Sequence, residues 1–376
     1  MSGTSLDGND LCAVRFSLHG GSWAYQVLAA HTYPYPDEWH DRLEGLAASS
    51  TTAFELAKAH VDYGHYLGLL LRRFCIEAGV TPQFVALHGH TVFHRPWQQV
   101  TWQVGCGETV ASYLTVPVVA NFRARDVALG GEGAPLVPLG EWHLFPDTGL
   151  FLNLGGVANV SIFRERLPSG DFDEKSWLRP GWHYLAYDLC GCNLILNTLA
   201  QRYDTRLAYD PEGSVAAAGE LSADLLAQLE GIGFYHQVPP RSLGTELLAA
   251  EVWPVLDAHP APLPDKLHTW CHHLAAHLAA ELGHLGIGHT PLRVTGGGAH
   301  NRFLMACLRE ALAPLGVTVA ENPPLLTDYK EALVFAFLGL RRLLGQPTVL
   351  PGATGARVAE STGSVHLPTG TALWAE

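Results

Sequence analysis

The chain has 376 residues, 48% hydrophobic and 16% charged, which supports a large core and suggests two domains. Its formal net charge of −13, with no run of Lys and Arg, argues against a nucleic-acid partner. No apolar run reaches the roughly 18 residues of a membrane span, and no targeting segment opens the sequence, so no membrane association is expected. The seven cysteines are odd in number and mostly far apart, which suits a reducing compartment and a cytoplasmic location.

Residues 11–18 and 23–30 read as paired strands, because β-branched and aromatic residues interleave in them, with His19-Gly20-Gly21-Ser22 as the turn. Residues 54–76 carry Leu56, Ala59, Tyr63, Leu67, Leu70 and Phe74 at three- and four-residue spacing, which predicts a helix with one apolar face. Short buried strands follow at 84–87, 116–120 and 151–153. Each ends in polar residues or glycine, at the sheet edge where α/β proteins place ligands. Tyr184-Leu185-Ala186-Tyr187 is strand-like. From 194 the text turns helical, most clearly at 215–229 and 266–282, the second with a core stripe of Leu267, Trp270, Leu274, Leu278 and Leu282. Leu292 to Thr295 is a strand, helices start near Asn301 and Lys330, and the tail from 347 is rich in turns. Alternating strands and helices predict an α/β fold.

Four glycine-rich turns could present backbone amides to an anion: Gly3-Thr4-Ser5-Leu6-Asp7-Gly8, Gly130-Gly131-Glu132-Gly133, Gly155-Gly156 and Gly296-Gly297-Gly298. No GxxxxGK[ST] loop is present, so the chain is not a P-loop enzyme, and no GxGxxG fingerprint opens a dinucleotide fold. Asp7, with Asp10 beyond Gly8, either meets a nucleotide through Mg²⁺ or caps the turn. Asp188, at a strand end, either serves as a general base or caps the following helix. His88 and His90 read as hydrogen-bonding groups for a polar substrate or for the turn itself. Cys190-Gly191-Cys192 is too tight for a CxxC zinc pair, and no GxSxG elbow is present. Lys330-Glu331 opens an otherwise apolar helix.

Together these segments resemble the anhydro-N-acetylmuramic acid kinases over nearly the whole chain. The resemblance runs through Met1–Gly8, His88-Gly89-His90-Thr91-Val92-Phe93-His94, Asn121–Pro138, Leu152–Asn159, Pro239–Gly244, Gly296–Asn301 and Asp328–Ala332. It implies a two-lobed actin-like fold of the sugar-kinase, ribonuclease H-like type, with ATP in an interlobe cleft. One lobe would comprise 1–128 with 327–376, and the other 129–326. It implies ATP and Mg²⁺ as cofactors, an anhydro amino sugar as substrate, and a homodimer. The reaction would be ring opening of 1,6-anhydro-N-acetylmuramic acid by water with phosphorylation of O6. On this resemblance Asp188 matches the general base and Glu331 the second acid. Gly3, Thr4, Ser5, Leu6, Asp7, Gly8 and Asp10, with Gly155, Gly156 and Gly296, Gly297, Gly298, match the nucleotide side, with Asp7 toward the metal. His90, Arg123, Gly131 and Gly133 match the sugar side.

The chain departs from the family pattern in three places. A strand usually precedes the opening motif, so either the sheet is shortened or the natural start lies upstream. Leu189-Cys190-Gly191-Cys192 replaces a glycine-rich Thr-Gly-Pro-Gly run beside Asp188. Asn121 and Glu132 stand where Asp and Gln are usual. These departures leave open a kinase of a different sugar, or a non-catalytic sugar-binding relative.

Overall fold

The computed structural model describes residues 1–2, 8–48, 50–167, 184–239, 241–323 and 325–368. The chain forms two compact units, Met1–Phe145 with Tyr329–Glu376, and Pro146–Asp328.

In the first unit, β1 (Asn9–His19) and β2 (Ser22–Tyr33) form an antiparallel hairpin. Gly20 and Gly21 take positive φ of 57° and 87°, as a tight two-residue turn needs. Helix α1 (Ala53–Ala78) starts at a capping box between Thr52 and Glu55 and ends at left-handed Gly79. Its apolar face buries Ala59, Tyr63, Leu67, Leu70 and Phe74, the predicted stripe apart from half-buried Leu56. Strand β3 (Val85–Leu87) leads into a second hairpin, β4 (His90–Arg95) with β5 (Val100–Val104). Strand β6 (Val118–Ala120) pairs parallel to β3 and antiparallel to Ser364–His366.

The family resemblance implies a lobe ending near 128, whereas residues 129–145 cluster with this first unit. The reason is packing. Gly140 abuts Val334, and Glu141 forms a buried ion pair with Lys330 at 2.6 Å. Both partners lie in the helix Leu326–Leu343 or against it.

The second unit is built on one five-stranded sheet. Strands β7 (Leu150–Leu154), β8 (Val157–Phe163) and β9 (Tyr184–Gly191) form an antiparallel meander. Strand β10 (Pro291–Thr295) adds parallel to β7, and β11 (Thr318–Val319) adds parallel to β10. Numbered within the unit, the order is 3-2-1-4-5 with only the second strand reversed. That is the ribonuclease H-like unit of the actin-like fold. Leu150, Leu152 and Leu154 are fully buried and Phe151 is nearly so, because β7 is central and covered on both faces.

Helices α2 (Asn193–Tyr203), α3 (Leu263–His284) and α4 (Arg302–Leu312) complete the core of this unit. The predicted α3 stripe is entirely buried. The helical reading of 215–229 needs correction: Ser214–Ala217 and Ala223–Glu230 are separate helices. Gly219 sits where a Cβ would lie 2.3 Å from the Pro264 carbonyl oxygen, and Ser222 caps the second helix afresh. Among the described residues no helix is long and apolar enough to cross a membrane.

Candidate active site

Strand β9 carries Asp188 toward the edge of the sheet at which parallel β7 and β10 end. The strand contains a bulge. Asn159 faces Asp188 and Ala158 faces Cys190, so Leu189 has no partner across the ladder. Helix α2 begins at Asn193 with Cys192 at its cap position, so Asp188 does not cap it. Instead the Asp188 carboxylate meets the segment 241–243. Its Oδ2 accepts from the Leu243 amide at 2.8 Å and from Ser242 Oγ at 3.1 Å. No described residue donates to Oδ1. Burial raises the Asp188 pKa above the ordinary aspartate value, against the opposing pull of the Leu243 amide, the Ser242 hydroxyl and Arg241.

The variant Leu189-Cys190-Gly191-Cys192 run turns into the core. Leu189, Cys190 and Cys192 are fully buried, and burial pushes the Cys192 thiol up to about 12. Trp270 of α3 donates its indole N–H to the Gly191 carbonyl at 3.1 Å and so fixes the end of β9.

Two predicted glycine turns converge at this same edge. The carbonyls of Gly155 and Gly156 accept from the amides of Asn193, Cys192 and Leu194, so they satisfy the start of α2. Gly296 has φ 89°, and a Cβ there would lie 2.8 Å from the Leu154 backbone. Gly298 would meet Leu154 Cβ at 2.8 Å, and Gly297 lies beside Asn193. The side-chain Nδ2 of Asn193 donates to the Leu154 carbonyl at 3.1 Å. At Gly296 backbone thus approaches backbone directly, and the Asn193 side chain ties the two turns together, so glycine main chain and Asn193 line the edge.

The first unit gathers a different set. His88 donates from Nδ1 to the Gly89 carbonyl at 2.8 Å and accepts at Nε2 from Arg123 Nε at 3.1 Å. Both ring nitrogens are engaged and burial holds the ring neutral, so its role is to orient Arg123. Arg123 also donates to the Gly133 carbonyl at 2.7 Å. The Gly133 amide in turn donates to Asp126, which accepts from Thr354 at 2.7 Å. A Cβ on Gly131 would lie 2.3 Å from that Asp126 carboxylate, so glycine is required there.

His90 meets Ser2 Oγ at 3.0 Å through Nδ1, and burial pushes its pKa down to about 4. Ser2 continues a chain through the hydroxyls of Tyr35 and Tyr63 to Asn9. Asp10 accepts from Thr32 at 2.6 Å, and Gly8 packs against the Tyr33 carbonyl. Gly3, Thr4, Ser5, Leu6 and Asp7 lie outside the described residues.

Glu331 is half-buried and accepts no hydrogen bond from a described residue. Burial raises its pKa, Lys330 and Arg123 lower it, and Asp10 raises it again.

The model of the family described as anhydro-N-acetylmuramic acid kinase matches residues 1–368. A protein of that name from Vibrio vulnificus is 32% identical over 377 residues, covering 97% of this chain and 96% of its own. Namesakes from Pasteurella multocida and Streptomyces coelicolor are 33% and 31% identical, over 97% of this chain and 95% and 92% of theirs. The chain belongs to the anhydro-N-acetylmuramic acid kinase family. It is therefore a phosphotransferase acting on an anhydro amino sugar.

Within this kinase, sequence reasoning singles out Asp188 but not the roles of Arg241, Ser242, Glu281 and Trp270, which shape its surroundings. The motif Pro239–Gly244 is the available signal for two of these. Its partner is set by tertiary folding and lies more than fifty positions away.

Proposed function

We propose that the chain uses ATP to convert 1,6-anhydro-N-acetylmuramic acid and water into N-acetylmuramic acid 6-phosphate and ADP, a step that fits peptidoglycan recycling. Asp188 takes a proton from the water that attacks the anomeric carbon. The bond from that carbon to O6 breaks, and O6 attacks the γ-phosphorus. The bond from that phosphorus to the β,γ-bridging oxygen breaks, and ADP leaves.

The observation that carries this reading is the asymmetric state of the Asp188 carboxylate. Oδ2 is held by Leu243 and Ser242, while no described residue donates to Oδ1, the oxygen assigned to take the proton. Burial makes it a stronger base than an exposed aspartate. The glycine-lined edge around Gly155, Gly156 and Gly296–Gly298 is suited to a nucleotide, because glycine lets phosphate oxygens come close to the main chain, although the Gly296 amide itself is taken by the Thr327 carbonyl. Arg123, oriented by His88, and the Gly131–Gly133 turn are assigned to the sugar, with His90 alongside. Glu331 is assigned as the second acid.

Mg²⁺ binds one or two carboxylates and otherwise keeps water and phosphate oxygens. Asp7, the residue assigned to the metal, lies outside the described residues, and Asp10 raises the Glu331 pKa as one like charge acts on another, so those two carboxylates feel each other. The cation would neutralise phosphate charge during transfer.

The test is ADP release with 1,6-anhydro-N-acetylmuramic acid, ATP and Mg²⁺, for the protein and its Asp188→Asn variant. The variant is expected to lose about 10²–10⁴-fold in kcat while still binding nucleotide. The wild-type rate should fall on the acid side above the ordinary aspartate range, because Asp188 is protonated, and inactive, below its raised pKa. Near-normal turnover by the variant would remove Asp188 as the base.

A further inference from the structure

We propose that Arg241 is a positioning residue that aims the Asp188 carboxylate by clamping the backbone on both sides of it. This inference rests on the reading of Asp188 as the base. Arg241 has a 2% exposed side chain, and its guanidinium finds an acceptor for each of its five N–H donors. Nε donates to the Asp188 carbonyl at 3.3 Å. One terminal nitrogen donates to the carbonyls of Gln237 at 2.7 Å and Tyr235 at 3.5 Å. The other donates to Glu281 Oε1 at 3.0 Å and to His277 Nε2 at 2.9 Å. His277 can accept because burial pushes its pKa down to about 3, so the ring is neutral.

The main chain closes the loop. The Asp188 amide donates to the Arg241 carbonyl at 2.9 Å, and the next two residues, Ser242 and Leu243, donate to Oδ2. Arg241 therefore fixes the peptide groups flanking Asp188 and the segment that holds one of its two oxygens. The guanidinium carbon also lies over the rings of Tyr187 and Phe234, 5.4 Å and 5.0 Å from their centres. Glu281 and His277 on α3 anchor the far side, so a helix of the core is tied to the orientation of the carboxylate. Arg241 is also the charged group facing Asp188, and Asn159 is its neutral neighbour on β8. A lysine carries the charge but not the planar fork, so charge and geometry can be separated.

The experiment compares Arg241→Lys with the double variant Arg241→Met/Glu281→Gln, which avoids leaving a buried carboxylate unpaired. Three readouts are taken: steady-state kinetics per folded molecule, thermal unfolding, and the Asp188 pKa. The last comes from ¹³C carboxyl titration, assigned by difference from Asp188→Asn. Arg241→Lys is expected to lose about tenfold in kcat, with the KM for ATP and the Asp188 pKa unmoved. The double variant is expected to lose about a hundredfold, the scale of a misplaced catalytic group, and to raise the Asp188 pKa. Wild-type kcat in both variants, with only the melting temperature lowered, would show a purely structural arginine and overturn the proposal. An unmoved Asp188 pKa in the double variant overturns it even if the sugar is not turned over. Should Asp188→Asn itself stay active, the reading of the base fails and the carboxyl titration alone decides whether Arg241 governs that group.

Discussion

Two carboxylates, Asp188 in one unit and Glu331 in the other, are both lifted in pKa by burial, but their surroundings differ in kind. Asp188 is held by directional hydrogen bonds: an amide and a hydroxyl on one oxygen, with Arg241 behind them. Glu331 has no such donor among the described residues. Its charge is offset through space by Lys330, Arg123 and the N-terminal ammonium, and opposed by the like charge of Asp10. A carboxylate with one oxygen committed and one open has a defined direction for proton transfer. A carboxylate set only by surrounding charge responds to whatever cation or phosphate arrives. The difference suits the first to be a base and the second to sense or hold a charged ligand.

The sharpest way to break this contrast is to remove the charge that frames Glu331. Lys330 and Glu141 are 2% and 1% exposed and pair at 2.6 Å at the point where the helix carrying Glu331 enters the first unit. Lys330→Met breaks the buried ion pair with Glu141 and should cost about 3–5 kcal/mol of stability, read by denaturant unfolding. Adding Glu141→Met should restore most of it, since an apolar pair of similar volume replaces the ions. No recovery in the double variant would mean that the pair does more than cancel charge. The next effect in size is Glu331→Gln. If Glu331 acts mainly through charge, that variant should lose about ten- to hundredfold in kcat, and its demand for Mg²⁺ should rise in a metal titration. An unchanged Mg²⁺ dependence would leave Glu331 without a metal role.

Much of the fold was legible because it rests on local rules. The Gly20-Gly21 turn, the α1 face and the α3 stripe follow from residue type and spacing, and each forms where periodicity places it. The glycine turns were legible for the same reason. At Gly131 and Gly296 a side chain would strike Asp126 or the Leu154 backbone, so the sequence itself records the close approach. The helix break at Gly219 was not legible, because the obstacle is the Pro264 carbonyl, which the chain reaches only after folding. Asp188 could be singled out at a strand end, but its state could not. Its donors come from Ser242 and Leu243, and a backbone amide has no signature in a sequence. The loop substitutions next to Asp188 read as a threat to the site, yet Leu189, Cys190 and Cys192 pack inward. Whether a variant residue faces ligand or core depends on the bulge in β9, a matter of register rather than composition.

The smallest predicted effect is also the most selective. Ser242→Ala removes the exposed hydroxyl bond to Asp188 Oδ2 and leaves the Leu243 amide in place. A single hydrogen bond of this kind is worth about 0.5–1.5 kcal/mol, so the plateau kcat should fall less than about tenfold. The hydroxyl lowers the Asp188 pKa, so its loss must raise it further. The acid limb of the rate should then move to higher pH, because more of the base is protonated at any given pH below the plateau. Glu331→Gln should leave that limb where it is, since Glu331 is not among the groups that set the Asp188 pKa. A pH–rate profile of the two variants side by side separates the cases. If Ser242→Ala leaves the limb in place and Glu331→Gln shifts it, the limb belongs to Glu331, and the directional carboxylate is not the one that takes the proton.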